Sequence, residues 1–343
     1  MRVTIRQVAA AAGVSTATVS RVLAGTQAVS PELAERVRQT AASLGYRPNV
    51  LAQGLARGRS GVVGVLVPNL ANPYFNDTIK ALMHSAERDG YRVIVADSDE
   101  RRENELPLGE SLLRWSDGLV LVASRAAPTA LRRLVGAHKP VVAVNHKPKP
   151  EIDEFVHISV NAYTPMRELC RHLVREGHRR IVYLSGPRTS WQSQERWRAV
   201  RSARRWGASV SSVPCGGTIE EGYAAAEGAL GEEPSAVMAF NDLAAFGFLS
   251  RCGELGLRVP EDLSLTGFDD IPFAQFTSPP LTTVRSPLAD VGVAAWQAMR
   301  RLLDGERRVL GMMLPSEMVI RSSTAPPRSM LGGSEPDKTT PTT

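Results

Sequence analysis

The sequence predicts an α/β protein, with a small N-terminal helical module ahead of a longer body of parallel sheets covered by helices. Three observations carry that expectation. The positive charge is concentrated at the start of the chain. Residues 4–45 place apolar side chains at helical spacing between capping residues. From residue 61 onward, short apolar runs alternate with amphipathic stretches.

The chain of 343 residues has room for two or three domains of ~100–150 residues each. Its apolar content of 43% and charged content of 22% are those of an ordinary globular protein. No run approaches the ~20 apolar residues of a membrane span, and the first residues lack the apolar segment of an export signal. A cytoplasmic protein without a membrane partner is expected. Cys170, Cys215 and Cys252 are odd in number and far apart, which points away from a disulfide framework or a zinc site. Charge is more telling. Residues 1–60 hold eight arginines and two glutamates, whereas the remaining 33 basic and 33 acidic residues cancel. The net +6 of the chain therefore sits in its first sixth, the footprint of a polyanion-binding module.

Thr4, with Gln7 three residues on, is a capping-box start, and Ile5, Val8, Ala9 and Ala12 follow at helical spacing. Gly13 ends that helix. Ser15 suits the cap of a second helix whose inward face carries Val19, Val22 and Leu23. Its opposite face centres on Ala17 and Arg21, with Thr18 and Ser20 beside them and Thr16 in the first turn. A third helix begins at Ser30 with Pro31 in its first turn, buries Leu33, Val37, Ala41 and Leu44, and stops at Gly45. Two short helices joined by a glycine-containing turn make a helix-turn-helix, which sets its second helix in the DNA major groove. Small residues allow close approach, hydroxyls bond phosphates or bases, and Arg21 can fork onto a guanine.

"NVLAQGLAR", Asn49–Arg57, follows Pro48 and joins this module to the body; Gly54 costs its helix ~1 kcal/mol relative to alanine. In the body, "VVGVLV", "YRVIVA", "DGLVLVA", "PVVAVN", "RIVYLSG", "SAVMAF" and "DLSLTGF" read as strands, with helices such as 76–89, 163–176, 190–205 and 242–255 between them. Continuous apolar strands in repeated β-α units mean parallel sheets buried on both faces, and a break near 145–160 divides them into two similar halves. The tail 325–343 has little to bury and is expected to be disordered. Ligands of such folds bind beyond the carboxyl ends of the strands. There the sequence offers Tyr74 and Phe75, Asp97, Ser124, Asn145, the segment "SGPRTSWQSQERW" containing Trp191, then "FND" and "FDD". Aromatic faces with carboxylates, amides and an arginine suit a polar ring such as a sugar. An enzyme is not expected. No G-x-G-x-x-G follows a strand, there is no Walker A motif, and the six histidines show no metal spacing.

"TIRQVAAAAGVSTATVSRVLAG", followed by "SPELAERVRQTAASLGYRPNVLAQGLARGRS", resembles the headpiece of the lactose/galactose repressor family. "NPYF", "GHRRIVYLSGP", "AFNDLAAFGFL", "LRVPEDLSLTGFDDIPFAQFTSPPLTTVRSP" and "MLPSEMVIRSST" resemble its effector-binding core, so the likeness runs to about residue 324. The resemblance implies a headpiece at 1–47, a hinge helix at 48–60, and a core at 61–324. That core consists of two Rossmann-like subdomains of the periplasmic-binding type, divided near 160, with the chain crossing again near 285 and 310. It implies base reading by Thr16, Ala17 and Arg21 and a minor-groove wedge at Leu55, within a DNA-facing set completed by Thr4, Ser15, Thr18, Ser20, Tyr46 and Asn49. In the cleft it implies Phe75 packing on the ligand and Arg196, Asn241 and Asp269 bonding its polar groups, beside Tyr74, Asp97, Ser124 and Trp191. Each of the four also has a plain structural role open to it: core for Phe75, surface ion pair for Arg196, helix cap for Asn241, turn for Asp269.

The implied molecule is a homodimer that binds an inverted repeat in double-stranded DNA and answers to a small-molecule effector, with no cofactor or metal. A transport-associated sugar binder is the rival reading; the helix-turn-helix and the lack of an export signal argue against it. Ala81, Asn161 and Ala199 depart from residues usual in the family.

Overall fold

The computed structural model describes residues 3–23, 29–46, 59–146 and 155–328. Asn49, Gly54 and Leu55, most of the hinge, and residues 329–343 lie outside the described residues. Two compact units form: Met1–Val62 with Trp115–Asp117, and the remainder.

The first unit is built from α1 (Ile5–Ala12), α2 (Thr16–Leu23) and α3 (Pro31–Ser43). The Gln7 Oε1 accepts from the Thr4 backbone N–H at 2.8 Å, which satisfies a donor that the helix start leaves open. Gly13 adopts φ +69°, a left-handed conformation that a side chain would strain, so α1 stops and the chain reverses into α2. There the Ser15 hydroxyl accepts from the Thr18 N–H at 3.0 Å. The Ser30 hydroxyl caps α3 through the Leu33 N–H at 3.4 Å. Val8, Ala9, Ala12, Val19, Val22, Val37 and Ala41 form one core, with Leu23, Ala34 and Tyr46 packed against it. Leu44 departs from expectation and remains 38% exposed. The helix ends at Ser43, so Leu44 sits in the closing turn.

The second unit holds two parallel sheets. Its elements are β1 (Val62–Val67), α4 (Pro73–Arg88), β2 (Arg92–Asp97), α5 (Arg102–Trp115), β3 (Gly118–Val122), α6 (Pro128–Val135), β4 (Val141–Val144) and β5 (Val156–Val160). Then follow α7 (Tyr163–Arg175), β6 (Arg180–Ser185), α8 (Trp191–Val200), a 3₁₀ turn (Arg201–Trp206), β7 (Ser209–Pro214), α9 (Ile219–Ala224) and α10 (Ala226–Leu230). The chain closes with β8 (Ala236–Ala239), α11 (Asp242–Glu254), β9 (Ser264–Thr266), β10 (Thr283–Arg285), α12 (Leu288–Leu303), β11 (Met312–Leu314) and β12 (Glu317–Val319).

The first sheet has the order β11-β5-β4-β3-β1-β2 and the second β7-β6-β8-β9, while β10 and β12 form an antiparallel pair. Central strands are buried throughout, as continuous apolar runs demand: β3, β4 and β8 expose no residue. Between the halves the chain passes after Val160, after Arg285 and after Leu314. Packing continues past residue 324. The Ser264 hydroxyl donates to the Ala325 carbonyl and accepts from its N–H, both at 3.0 Å, so Ala325 is held in the fold, where the tail's composition suggests disorder. His178, buried behind them, meets the same carbonyl at 3.0 Å.

Helices α9 and α11 approach through glycines. A Cβ on Gly247 would lie 1.8 Å from the Ile219 carbonyl oxygen. Gly247→Ala is expected to force the helices apart and cost about 1–3 kcal/mol, read as a lower Tm in thermal denaturation; an unchanged Tm would show that the contact can relax.

Candidate functional site

Two surfaces carry chemistry, one in each unit. In the first, α2 buries Val19 and Val22 and turns Thr16, Ala17 and Arg21 outward, all exposed. Thr18 and Ser20 flank them half-buried, and the Thr18 hydroxyl is held 2.9 Å from that of Ser15. The exposed face therefore offers a hydroxyl, a methyl and a guanidinium on a helix narrow enough for a major groove. Among the described residues Arg21 has no ion pair. The ion pair described in this unit, Arg38–Glu35, lies on α3. Thr4 is exposed, but its hydroxyl already engages Gln7 at 3.2 Å. Tyr46 packs half-buried on the headpiece core.

In the second unit, the carboxyl ends of β3, β4, β8 and β9 converge on a cavity of about 50 Å³, lined among others by Tyr74, Phe75, Asn145, Gln192, Arg196, Asn241 and Asp269. Small-molecule sites usually offer about 300–1,000 Å³, so this is a cleft closed on its own side chains. Local structure places each of them. Asn72 caps α4 by accepting from the Tyr74 N–H at 3.0 Å, and the rings of Tyr74 and Phe75 then meet edge to face at 5.1 Å. Asn145, just past β4, donates to the Tyr74 hydroxyl at 2.7 Å and accepts from the Val160 N–H at 2.8 Å. Gln192, on α8 of the other half, donates to the Asn145 Oδ1 at 3.0 Å and to the Val160 carbonyl at 3.3 Å. Asn241 caps α11 through the Ala244 N–H at 2.9 Å and donates to the Gly217 carbonyl at 2.9 Å.

The floor of the cavity is charged. The Arg196 Nη2 lies 3.3 Å from the Asp269 Oδ1, with both side chains 5% exposed. The guanidinium also donates to the Phe240 carbonyl and stacks 3.6 Å over the Phe268 ring. Burial pushes the Asp269 carboxyl up to about 7, although Arg196 pulls it down. Burial likewise raises the Tyr74 hydroxyl, helped by the charge of Asp269. Three side chains that line the cavity carry a buried polar atom with no hydrogen-bond partner among the described residues: the Gln192 Oε1, the Arg196 Nε and the Arg125 Nε. The first two lie one turn apart on α8, one an acceptor and one a donor.

Of the eight effector residues read from sequence, five meet here: Tyr74, Phe75, Arg196, Asn241 and Asp269. Ser124 and Trp191 line an adjoining hollow of about 260 Å³ that shares Arg125 with the cavity. The Ser124 hydroxyl is engaged with the buried Glu105. Asp97 is not brought to the cavity. Its strand β2 is the sheet edge, and its carboxylate accepts from the Leu70 and Asp99 N–H groups, each at 2.8 Å. Sequence reading missed Gln192 and Arg125. The signal for Gln192 was its place one turn before Arg196; Arg125, paired with Glu100, had none.

Residues 4–49 match the model of bacterial regulatory proteins of the lacI family, and residues 170–324 match a periplasmic binding protein-like domain. The HTH-type transcriptional repressor CytR of Escherichia coli (strain K12) is 32% identical over 329 residues, covering 94% of this chain and 96% of the repressor. The lac repressor dimer bound to operator and the anti-inducer ONPF superposes with a TM-score of 0.84 at 27% identity, covering 95% of this chain and 100% of that one. A complex of the regulator CelR with cellobiose gives a TM-score of 0.71 at 26% identity, covering 94% and 100%. Among the described residues no helix is long and apolar enough to cross a membrane. With a capped helix-turn-helix in one unit, a strand-end cleft in the other and likeness to a repressor along almost the whole length, the chain belongs to the lacI family of bacterial regulatory proteins.

Proposed function

We propose that this protein is a dimeric transcriptional repressor whose hold on an inverted-repeat operator is set by a sugar bound between the two halves of its larger unit. The observation that carries this reading is the free outer face of α2, where Thr16, Ala17 and Arg21 stand exposed on a helix anchored by Val19 and Val22. Two such helices, related by a two-fold axis, require half-sites spaced to match. Headpiece arginines contacting phosphates add salt-dependent affinity. Asn49 and Leu55 extend the interface from the hinge, which is taken to run over 48–60 between the headpiece and the core.

The sugar assignment rests on the open acceptor and donor of Gln192 and Arg196. It also rests on Phe75, 5% exposed, whose ring offers an apolar face to a pyranose or furanose, and on the cellobiose held by the similar regulator. Because the closed cavity measures only about 50 Å³, a sugar enters by parting the halves. Its binding energy then differs between closed and open arrangements, the requirement for coupling to DNA, typically about 1–3 kcal/mol. A thermal-shift screen of mono- and disaccharides, sugar phosphates and purines tests this. A true effector at a hundredfold over its Kd stabilises by about 2.7 kcal/mol and changes operator affinity in fluorescence anisotropy. If no sugar does either, or a purine does both, the sugar reading falls.

A further inference from the structure

The body of the chain is neutral as a whole, yet residues 163–206 carry eleven arginines against three glutamates, an excess of eight. The fold brings many of them to one face, where α7 packs on α8 and the 3₁₀ turn. Arg167 and Arg171, one turn apart on α7, both stack over Trp206, at 5.6 and 5.5 Å from the ring centre. Arg201 lies 5.8 Å over Trp197, and Arg205 follows on the same turn. All four arginines are exposed.

Several other arginines of the same unit are paired. Arg251 meets Glu254 at 2.7 Å, and Arg285 meets Asp270 at 2.7 Å and Glu317 at 2.8 Å. Arg167, Arg171, Arg201 and Arg205 have no ion pair or hydrogen bond among the described residues. Glu168 lines the same hollow of about 100 Å³ as Arg167, Arg171 and Trp206, but outside ion-pair reach. Like charges one turn apart repel. Three of the four lie over an indole within cation–π reach, and none of the four has an ion pair among the described residues. The result is a cluster of unneutralised guanidinium forks.

We propose that this face docks an acidic segment of a partner protein, with Arg167, Arg171, Arg201 and Arg205 receiving Asp and Glu carboxylates. Carboxylates match the fork geometry in bidentate fashion. Single-stranded nucleic acid would need bare aromatic faces for its bases, and here the protein's own guanidiniums lie over both indoles. Three of the four forks gather around two rings rather than tracking a groove, which favours a short acidic run over a duplex backbone.

Fluorescence anisotropy of a labelled twelve-residue Glu/Asp peptide with the full-length protein at low ionic strength tests the assignment. Arg167→Glu/Arg171→Glu should weaken peptide binding at least tenfold, and Arg167→Gln/Arg171→Gln should weaken it less. The control Arg307→Glu/Arg308→Glu, exposed in the same unit but away from this face, should leave it within twofold, with circular dichroism and Tm reporting that each variant is folded. Absence of peptide binding by the wild type, or equal binding by the charge-reversed patch, overturns the proposal. So does a patch variant that keeps the peptide but loses affinity for a duplex of arbitrary sequence, which would assign the face to nucleic acid.

Discussion

Replacing Arg21 by alanine is expected to abolish the preference for operator over unrelated duplex while leaving weak, salt-dependent adhesion. A bidentate base contact discriminates by about 1–3 kcal/mol, and a dimer makes it twice, so roughly 2–6 kcal/mol of specificity is at stake. That corresponds to a loss of about thirtyfold to about twenty-thousandfold. Stability should hardly move, because Arg21 is exposed on the face opposite the buried Val19 and Val22 and surface changes usually stay within about 0.5 kcal/mol. The measurement is competition anisotropy of labelled operator against random duplex at several salt concentrations. Arg21 carries base choice if the specific affinity collapses and the salt slope changes by no more than about one phosphate contact per half-site. An unaltered ratio of specific to random affinity would remove α2 from base reading.

The second large effect is expected at the floor of the cleft. Asp269→Ala leaves the Arg196 guanidinium buried, 5% exposed, without its counter-charge, and breaking one side of a buried pair typically costs about 3–5 kcal/mol. Chemical denaturation should show that loss. The surviving folded dimer should bind operator with no response to sugar. A normal response would show that the cleft lies elsewhere.

The carboxyl also sets a pH window. Burial lifts Asp269 from 3.8 to about 7, so between those values the folded chain holds a proton that the unfolded chain releases. Its contribution to stability is therefore full below about pH 4 and is lost as the pH rises through about 7. Sugar binding follows the opposite sense. A carboxylate accepting from sugar hydroxyls is available above about pH 7 and is progressively lost below it, so affinity in the wild type should fall on acidification from pH 8 to 6 while Asp269→Asn stays flat. Asp242, also raised by burial and by the charge of Asp269, is committed elsewhere: its carboxylate accepts from the Thr283 hydroxyl at 2.5 Å and the Ile271 N–H at 2.9 Å.

Much of the fold was legible. Capping residues Thr4, Ser15 and Ser30 mark helix starts because a helix leaves N–H groups open at its first turn. The runs at β1, β3, β4, β6 and β8 mark central strands because both faces are covered. Edge positions were harder to read. β7, "SVSSVP", alternates polar and apolar residues on the rim of its sheet and does not stand out from a loop. Asp97 illustrates the same limit: it ends a strand, as the cleft residues do, but β2 is the rim of the first sheet, and the lining from that sheet lies mostly beyond β1, β3 and β4.

By itself the sequence determined what is local: where helices begin, which strands are doubly buried, and that the chain's net charge equals that of its first sixty residues. Only the tertiary structure decided which strand ends meet. The bonds that define the cleft join Gln192 to Asn145 across 47 positions, Tyr74 to Asn145 across 71 and Arg196 to Asp269 across 73. Helix and strand periods repeat every 3.6 or 2 residues, so neither can report a partner at such a distance. That information resides in how the two sheets face each other.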